Sequence, residues 1–281
     1  MTRSDCTARA NGRSTQRMRR LLFAALAATV AVTGCGFDDG EGAAESARGV
    51  AAADVASAAL RTPPADPTTV PPPLDPWQVL VAVAKPHVSE LTTFDAPGGN
   101  EVSFELPLTN PWYFGGELAL LVEEGRETDD WLRVALPVRP NGTTAWIRRD
   151  DVDIRTHRVH AQVVLSERRL RVWDGETLLA DAPVVIGAPS TPTPVGRFFV
   201  NARIRRDNPA GAYGPWILSL SGYSEALESF DGGLPVIAIH GTNRPDLVGT
   251  ARSNGCIRVT NDVIEQLAQV VPLGTPVEIV A

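Results

Sequence analysis

The chain has 281 residues, with 26 Lys and Arg against 33 Asp and Glu, for a formal net charge of −7. That balance supplies no electrostatic footprint for nucleic acid or anionic lipid, so no nucleic-acid partner is expected. None of the four histidines has companions that read as a metal site; no metal and no cofactor is expected.

Residues 1–34 read as a signal peptide. Arg17, Arg19 and Arg20 form a basic cluster, and LLFAALAATVAVTG follows without a charge up to Gly34. A positive start and a short apolar stretch make an export signal rather than a permanent membrane helix. The stretch ends in Val32-Thr33-Gly34-Cys35, which resembles a bacterial lipobox. The resemblance implies cleavage before Cys35, lipidation of that residue and an extracytoplasmic protein anchored to the cell membrane by several acyl chains. Losing six arginines and one aspartate with the signal leaves 20 basic and 32 acidic residues, a net of −12. Cys6 leaves too and Cys35 is committed to lipid. Cys256 is then the sole thiol, without a partner for an internal disulfide and worth treating as reactive.

Residues 35–76 carry the anchor and a proline-rich linker. RTPPADPTTVPPPLDP, Arg61 to Pro76, favours extended polyproline-like conformations and reads as a tether. Residues 77–155 hold short apolar runs broken by turns. WQVLVAVA, WLRVALPV and TAWIRR are strand-like, and Asn141-Gly142 is a hairpin signal between the last two. No helix is expected there. The stretch WLRVALPVRPNGTTAWIRRDDV resembles the SH3-like modules of bacterial cell-wall proteins, which implies a small barrel.

Residues 156–281 read as a second, mostly β domain. QVVLSERRLRVWDGETLLADAPVVIGA gives three strand-like runs with Asp174-Gly175 as a tight turn. A helix is expected through DVIEQLAQVV, capped by Asn261, with Val263, Ile264, Leu267, Ala268 and Val271 on its apolar face. Pro272 and Gly274 stop it, and TPVEIV returns as a final strand. A domain of about 125 residues can bury a core of its own. His87, His157 and His160 read as structural or solvated.

GLPVIAIH reads as a buried strand ending at His240, and the chain then loops back to Ser253-Asn254-Gly255-Cys256. A nucleophilic cysteine needs a base within reach, because the thiolate is the attacking species. It also needs backbone N–H groups aimed at the developing oxyanion, and a preceding glycine permits the turn. A catalytic pair predicts a thiol pKa below the free value. A buried structural cysteine with a histidine nearby is the other reading, and general chemistry alone leaves the two level.

IHGT…SNGCIRV resembles the signature of the bacterial L,D-transpeptidases of the YkuD type, and VVIGAPSTPTPVGRFFV and GTPVEI match their pattern as well. The resemblance covers about residues 160–280. It implies a mainly β fold, with an SH3-like barrel followed by a β-sandwich-like catalytic domain that has a short C-terminal helix. It also implies an enzyme facing the cell wall that cross-links peptidoglycan stem peptides through a cysteine acyl-enzyme and is trapped by carbapenems. In that reading Cys256 is the nucleophile and His240 its base, with the Gly241 carbonyl orienting the imidazole. Gly255 and Cys256 donate N–H groups to the oxyanion, and Ser253 and Arg258 support the loop or bind a substrate carboxylate. Asn254 stands where many members have a second histidine; it can hydrogen-bond but not titrate near neutrality. Residues 205–223 correspond to a flap, whose Tyr213 and Trp216 either pack on a peptide stem or are core aromatics. An L,D-carboxypeptidase would use the same residues, and a non-catalytic peptidoglycan-binding scaffold is the reading from another class.

Overall fold

The computed structural model describes residues 75–110 and 116–281. The expected signal peptide, Cys35 and most of the linker lie outside the described residues. The first half is made of β1 (Val79–Ala84), β2 (Glu90–Phe94), β3 (Val102–Pro107), the two-residue β4 (Thr109–Asn110) and β5 (Gly116–Glu117), β6 (Ala119–Glu124), β7 (Trp131–Ala135), β8 (Thr144–Arg148) and β9 (Val152–His157). Seven of these form one sheet in the order β3-β2-β8-β7-β6-β1-β9. Alternation explains the strands: in β7 and β8, Leu132, Val134, Ala145 and Ile147 point inward while Trp131, Arg133 and Trp146 stay partly exposed. The β7–β8 hairpin turns at Asn141-Gly142, as expected, with Leu136 N–H bonded to the Thr143 carbonyl at 2.9 Å.

The second half runs β10 (Val159–Val164), β11 (Arg169–Asp174), β12 (Thr177–Pro183), β13 (Ile186–Gly187), β14 (Gly196–Arg205), β15 (Trp216–Tyr223), β16 (Val236–His240), β17 (Ala251–Ser253), β18 (Ile257–Arg258), α1 (Asn261–Val270) and β19 (Pro276–Val280). Its main sheet has the order β12-β11-β10-β19-β14-β15-β16-β18, so the last strand of the chain lies near its middle. The mainly β architecture with one short C-terminal helix agrees with the sequence. Helix α1 buries Ile264, Leu267 and Ala268 against the sheet. One local expectation changes. Thr260, not Asn261, occupies the N-cap position, and the Asn261 side chain is used elsewhere because two loops reach it first.

The two sheets are joined through β14. Its central residues are buried on both faces, and consecutive side chains of a strand point to opposite sides. Phe198 therefore enters the core of the second sheet, with Val163, Leu220, Ile239 and Ile257. Phe199, fully buried, enters the core of the first, with Val81, Leu120, Leu132 and Ile147. Leu273 packs against both cores. The described residues accordingly belong to one compact unit.

Candidate active site

His240 is the last residue of β16 and is buried. β16 pairs antiparallel with β15 and parallel with β18, which sets His240 opposite Ile217 on one side and Arg258 on the other. The parallel partner leads straight back to Cys256, one residue before β18. This register, rather than the 16-residue separation in sequence, brings the two side chains to one recess.

The Cys256 loop is locked by short polar side chains. The Ser253 hydroxyl donates to the Cys256 carbonyl at 2.6 Å and accepts from Gly255 N–H at 3.2 Å. The Thr193 hydroxyl donates to the Gly255 carbonyl at 2.8 Å and accepts from Gly187 N–H at 2.9 Å. The Thr191 hydroxyl reaches the Ser253 carbonyl at 3.0 Å. Gly255 has φ +112°, and a Cβ there would stand 3.0 Å from Ile237, so the turn before the cysteine requires glycine. These bonds make Ser253 a loop brace with its hydroxyl fully engaged. They also occupy Gly255 N–H, which removes it from the donors free to meet an oxyanion.

The imidazole is fixed from the other side. His240 Nδ1 lies 2.6 Å from the Gly241 carbonyl. A carbonyl only accepts, so Nδ1 carries the proton and Nε2 is left with its lone pair. The Tyr213 ring packs 4.9 Å from the imidazole at 55°. Behind them, Gly214 and Gly241 approach so closely that a Cβ on Gly214 would stand 2.6 Å from Gly241 Cα. Asn261 ties the same two loops together: its Oδ1 accepts from Thr242 N–H at 2.8 Å and its Nδ2 donates to the Pro209 carbonyl at 3.3 Å.

The recess has a volume of about 130 Å³ and is lined by Ala212, Tyr213, Leu227, Phe230, Pro235, Val236, His240, Asn254, Cys256 and Arg258. It thus gathers Cys256, His240, Tyr213, Asn254 and Arg258 of the residues singled out in the sequence. Trp216 is not among them. It starts β15, packs against the second core and lines a separate depression with Asn201, Arg203 and Leu273. Arg258 Nε is buried without a hydrogen-bond partner. Among the described residues, no group of three His, Cys, Asp or Glu could hold a metal ion.

Protonation differs from the sequence expectation. Burial pushes the Cys256 thiol above its ordinary value, outweighing the Ala238 backbone N–H and Arg258, which pull it down. The Cys256 sulfur donates instead to the Val236 carbonyl at 3.7 Å. Burial likewise lowers His240 to about 4, opposed by its bond to Gly241 and helped by Arg258. At neutral pH the site therefore holds a neutral thiol and a neutral imidazole. Such a pair is suited to proton transfer during attack rather than to a standing thiolate–imidazolium pair.

The sequence reading missed three sets of residues. Thr191 and Thr193 lie in VVIGAPSTPTPVGRFFV, where the sequence assigns neither a role. Asn261 was assigned to the helix. Leu227, Phe230, Pro235 and Val236, which line the recess, were not singled out, although Asp231-Gly232 between them is a turn signal of the kind used elsewhere in the chain.

Residues 158–279 match the family model of the L,D-transpeptidase catalytic domain, YkuD. A Bacillus licheniformis protein that carries the L,D-transpeptidase name YkuD is 38% identical over 117 residues, which cover 42% of this chain and 62% of that protein. Its Bacillus subtilis namesake is 35% identical over 120 residues, covering 43% and 65%. The chain thus spans less than two thirds of either relative. Among solved structures, an L,D-transpeptidase from Mycobacterium tuberculosis H37Rv aligns with a TM-score of 0.41 at 14% identity, covering 58% of this chain and 90% of that one. One from Mycobacterium smegmatis gives 0.37 at 15%, covering 72% and 99%.

Proposed function

We propose that the chain is a peptidoglycan L,D-transpeptidase working through an acyl-enzyme on Cys256. The observation that carries this reading is the fixed tautomer of His240, with Nε2 unprotonated in a recess that also holds the thiol. As the sulfur attacks the carbonyl of a donor stem's third residue, its proton passes to Nε2. The C–N bond to the terminal D-alanine breaks, the leaving amine takes the proton from His240, and a thioester remains. The side-chain amine of an acceptor stem then attacks the thioester, its proton goes to Nε2, and the S–C bond breaks as the thiol is re-formed. Both half-reactions use one base, as microscopic reversibility requires.

Arg258 supplies positive charge in an otherwise acidic chain. A substrate carboxylate meeting the Arg258 guanidinium at the recess would gain about 1.5–3 kcal/mol, the usual range for hydrogen bonds to charged groups. The match of residues 158–279 to the catalytic-domain family supports the substrate class. In the same reading the N-terminal sheet is an SH3-like module, and lipidated Cys35 holds the protein on the outer face of the membrane, with the linker reaching toward the wall.

Muropeptide mass spectrometry tests the reaction. The chain, a tetrapeptide stem and an acceptor stem should yield a cross-linked dimer with loss of D-alanine, and a carbapenem should add to Cys256. D-alanine release with only tripeptide as product would make the enzyme an L,D-carboxypeptidase. Absence of any acyl adduct would leave a binding scaffold.

A further inference from the structure

The segment between β15 and β16, residues 224–235, carries Leu227, Phe230 and Pro235 to the recess wall. Its tip closes on itself, with mutual Phe230–Gly233 backbone bonds of 2.9 and 3.0 Å around Asp231 (φ +51°) and Gly232 (φ +77°). Its base is closed by the Ser224 N–H on the Pro235 carbonyl at 2.8 Å and is gripped from outside by the loop between β7 and β8. Asn141 clasps the end of β15 as another strand would: its Nδ2 donates to the Tyr223 carbonyl and its Oδ1 accepts from Tyr223 N–H, both at 2.9 Å. Arg139 Nη2 donates to the carbonyls of Ser224 and Leu227, each at 2.9 Å. The Tyr223 hydroxyl donates to the Pro137 carbonyl at 2.6 Å, beneath the Arg139 guanidinium 5.5 Å from its ring.

We propose that Arg139 and Asn141 are positioning residues for substrate: by holding 224–235 they set the recess wall that receives the donor stem. This rests on the L,D-transpeptidase reading. The N-terminal sheet is then a working part of the enzyme and not only a module that directs it to the wall. The contacts are specific. An amide offers a donor and an acceptor on two separate atoms, as a strand end requires, and a single Arg nitrogen gathers two carbonyls. The backbone of the Cys256 loop is outside this device, because Ser253, Thr191 and Thr193 brace it; the sulfur meets the carbonyl of Val236, the first residue of β16, at 3.7 Å.

The test uses the full chain with Asn141→Ala, Arg139→Ala and Arg139→Lys. Hydrogen exchange should show amides of 223–230 losing protection in both alanine variants, with those of 253–258 unchanged. KM for a tetrapeptide stem should rise about tenfold, as expected for losing one or two such bonds, with kcat little altered. Alkylation of Cys256 by iodoacetamide should keep its rate, and Arg139→Lys, which retains a donor, should recover most of the KM. Unchanged exchange in 223–230 would overturn the proposal, as would a fall in kcat with KM intact. If Asn141→Ala does not fold, the exposed Arg139 supplies both readouts. A wild-type chain that turns over no stem peptide would sink the functional reading and the substrate half of this one. The exchange result would still decide, independently, whether the clasp holds the wall.

Discussion

The Cys256 loop and the 224–235 segment line the same recess but are held in opposite ways. Three hydroxyls brace the first from nearby: Ser253 at the end of β17, and Thr191 and Thr193 in the connection between β13 and β14. The second is gripped at its base by Arg139 and Asn141, more than eighty residues earlier in the chain. The nucleophile is thus fixed by small side chains with few rotamers, while the wall depends on the packing of two sheets. Chemistry and substrate fit should respond to different mutations.

The sharpest separation is expected at His240. Replacing it with Ala should lower kcat/KM by about 10²–10⁴, the range for loss of a positioned general base. In the wild type, the acid limb of kcat/KM should lie near pH 4, where His240 gains its proton, and not near 6.5. Stability carries the same signature. Between about pH 6.5 and 4 the unfolded chain binds a proton at His240 that the folded chain refuses, so stability falls as the pH is lowered through that window. The full loss is about 3 kcal/mol below it. Denaturant melts at pH 7, 5 and 4 should show this decline, shallower in His240→Gln. An acid limb near 6.5 in both measurements would mean that the imidazole is hydrated in solution.

Phe199→Ala attacks the seam on which the comparison depends. It empties a fully buried site in the first core from a strand of the second sheet, at a cost of about 3–5 kcal/mol. The two sheets should melt in one transition, both earlier than in the wild type, and residues 156–281 alone should aggregate through exposed Phe199 and Leu273. Two separated transitions in calorimetry would show that each sheet is self-sufficient.

Thr193→Val tests the local side. It leaves the buried Gly255 carbonyl and Gly187 N–H without a shared partner, costing about 1–3 kcal/mol. Displacement of the turn should reduce kcat by about 10²-fold, with KM nearly unchanged. That is the reverse of the pattern expected for Asn141→Ala, and equal KM shifts in both would erase the distinction.

How much of this was legible follows from the range of each interaction. The β7–β8 hairpin and the α1 core face could be read from alternation, an Asn-Gly turn and helical spacing, because those signals are local. Asn261 could not, since its partners Thr242 and Pro209 lie 19 and 52 residues away and a helix-initial Asn looks like a cap. Phe198-Phe199 reads as one apolar run; only the strand's two covered faces assign each ring to a different core. The direction of the thiol shift was also hidden. Sequence shows the histidine and the glycine that favour a thiolate, but not the burial that outweighs them.

Asn254 should give the smallest effect. It is exposed at the recess rim and carries no charge that could shift Cys256 or His240. Neither its side chain nor its position braces the loop, since Ser253, Thr191 and Thr193 already do so. Asn254→Ala should therefore change kcat/KM by less than about threefold, and stability by no more than the roughly 0.5 kcal/mol typical of surface substitutions. Asn254→His adds an imidazole in solvent, with an unperturbed pKa of about 6.5, so any effect should appear only as a new inflection near that pH. The His240 limb near pH 4 should stay where it is. If Asn254→Ala instead abolishes turnover while alkylation of Cys256 is preserved, the side chain contacts the substrate. The rim would then share the work assigned to the 224–235 wall.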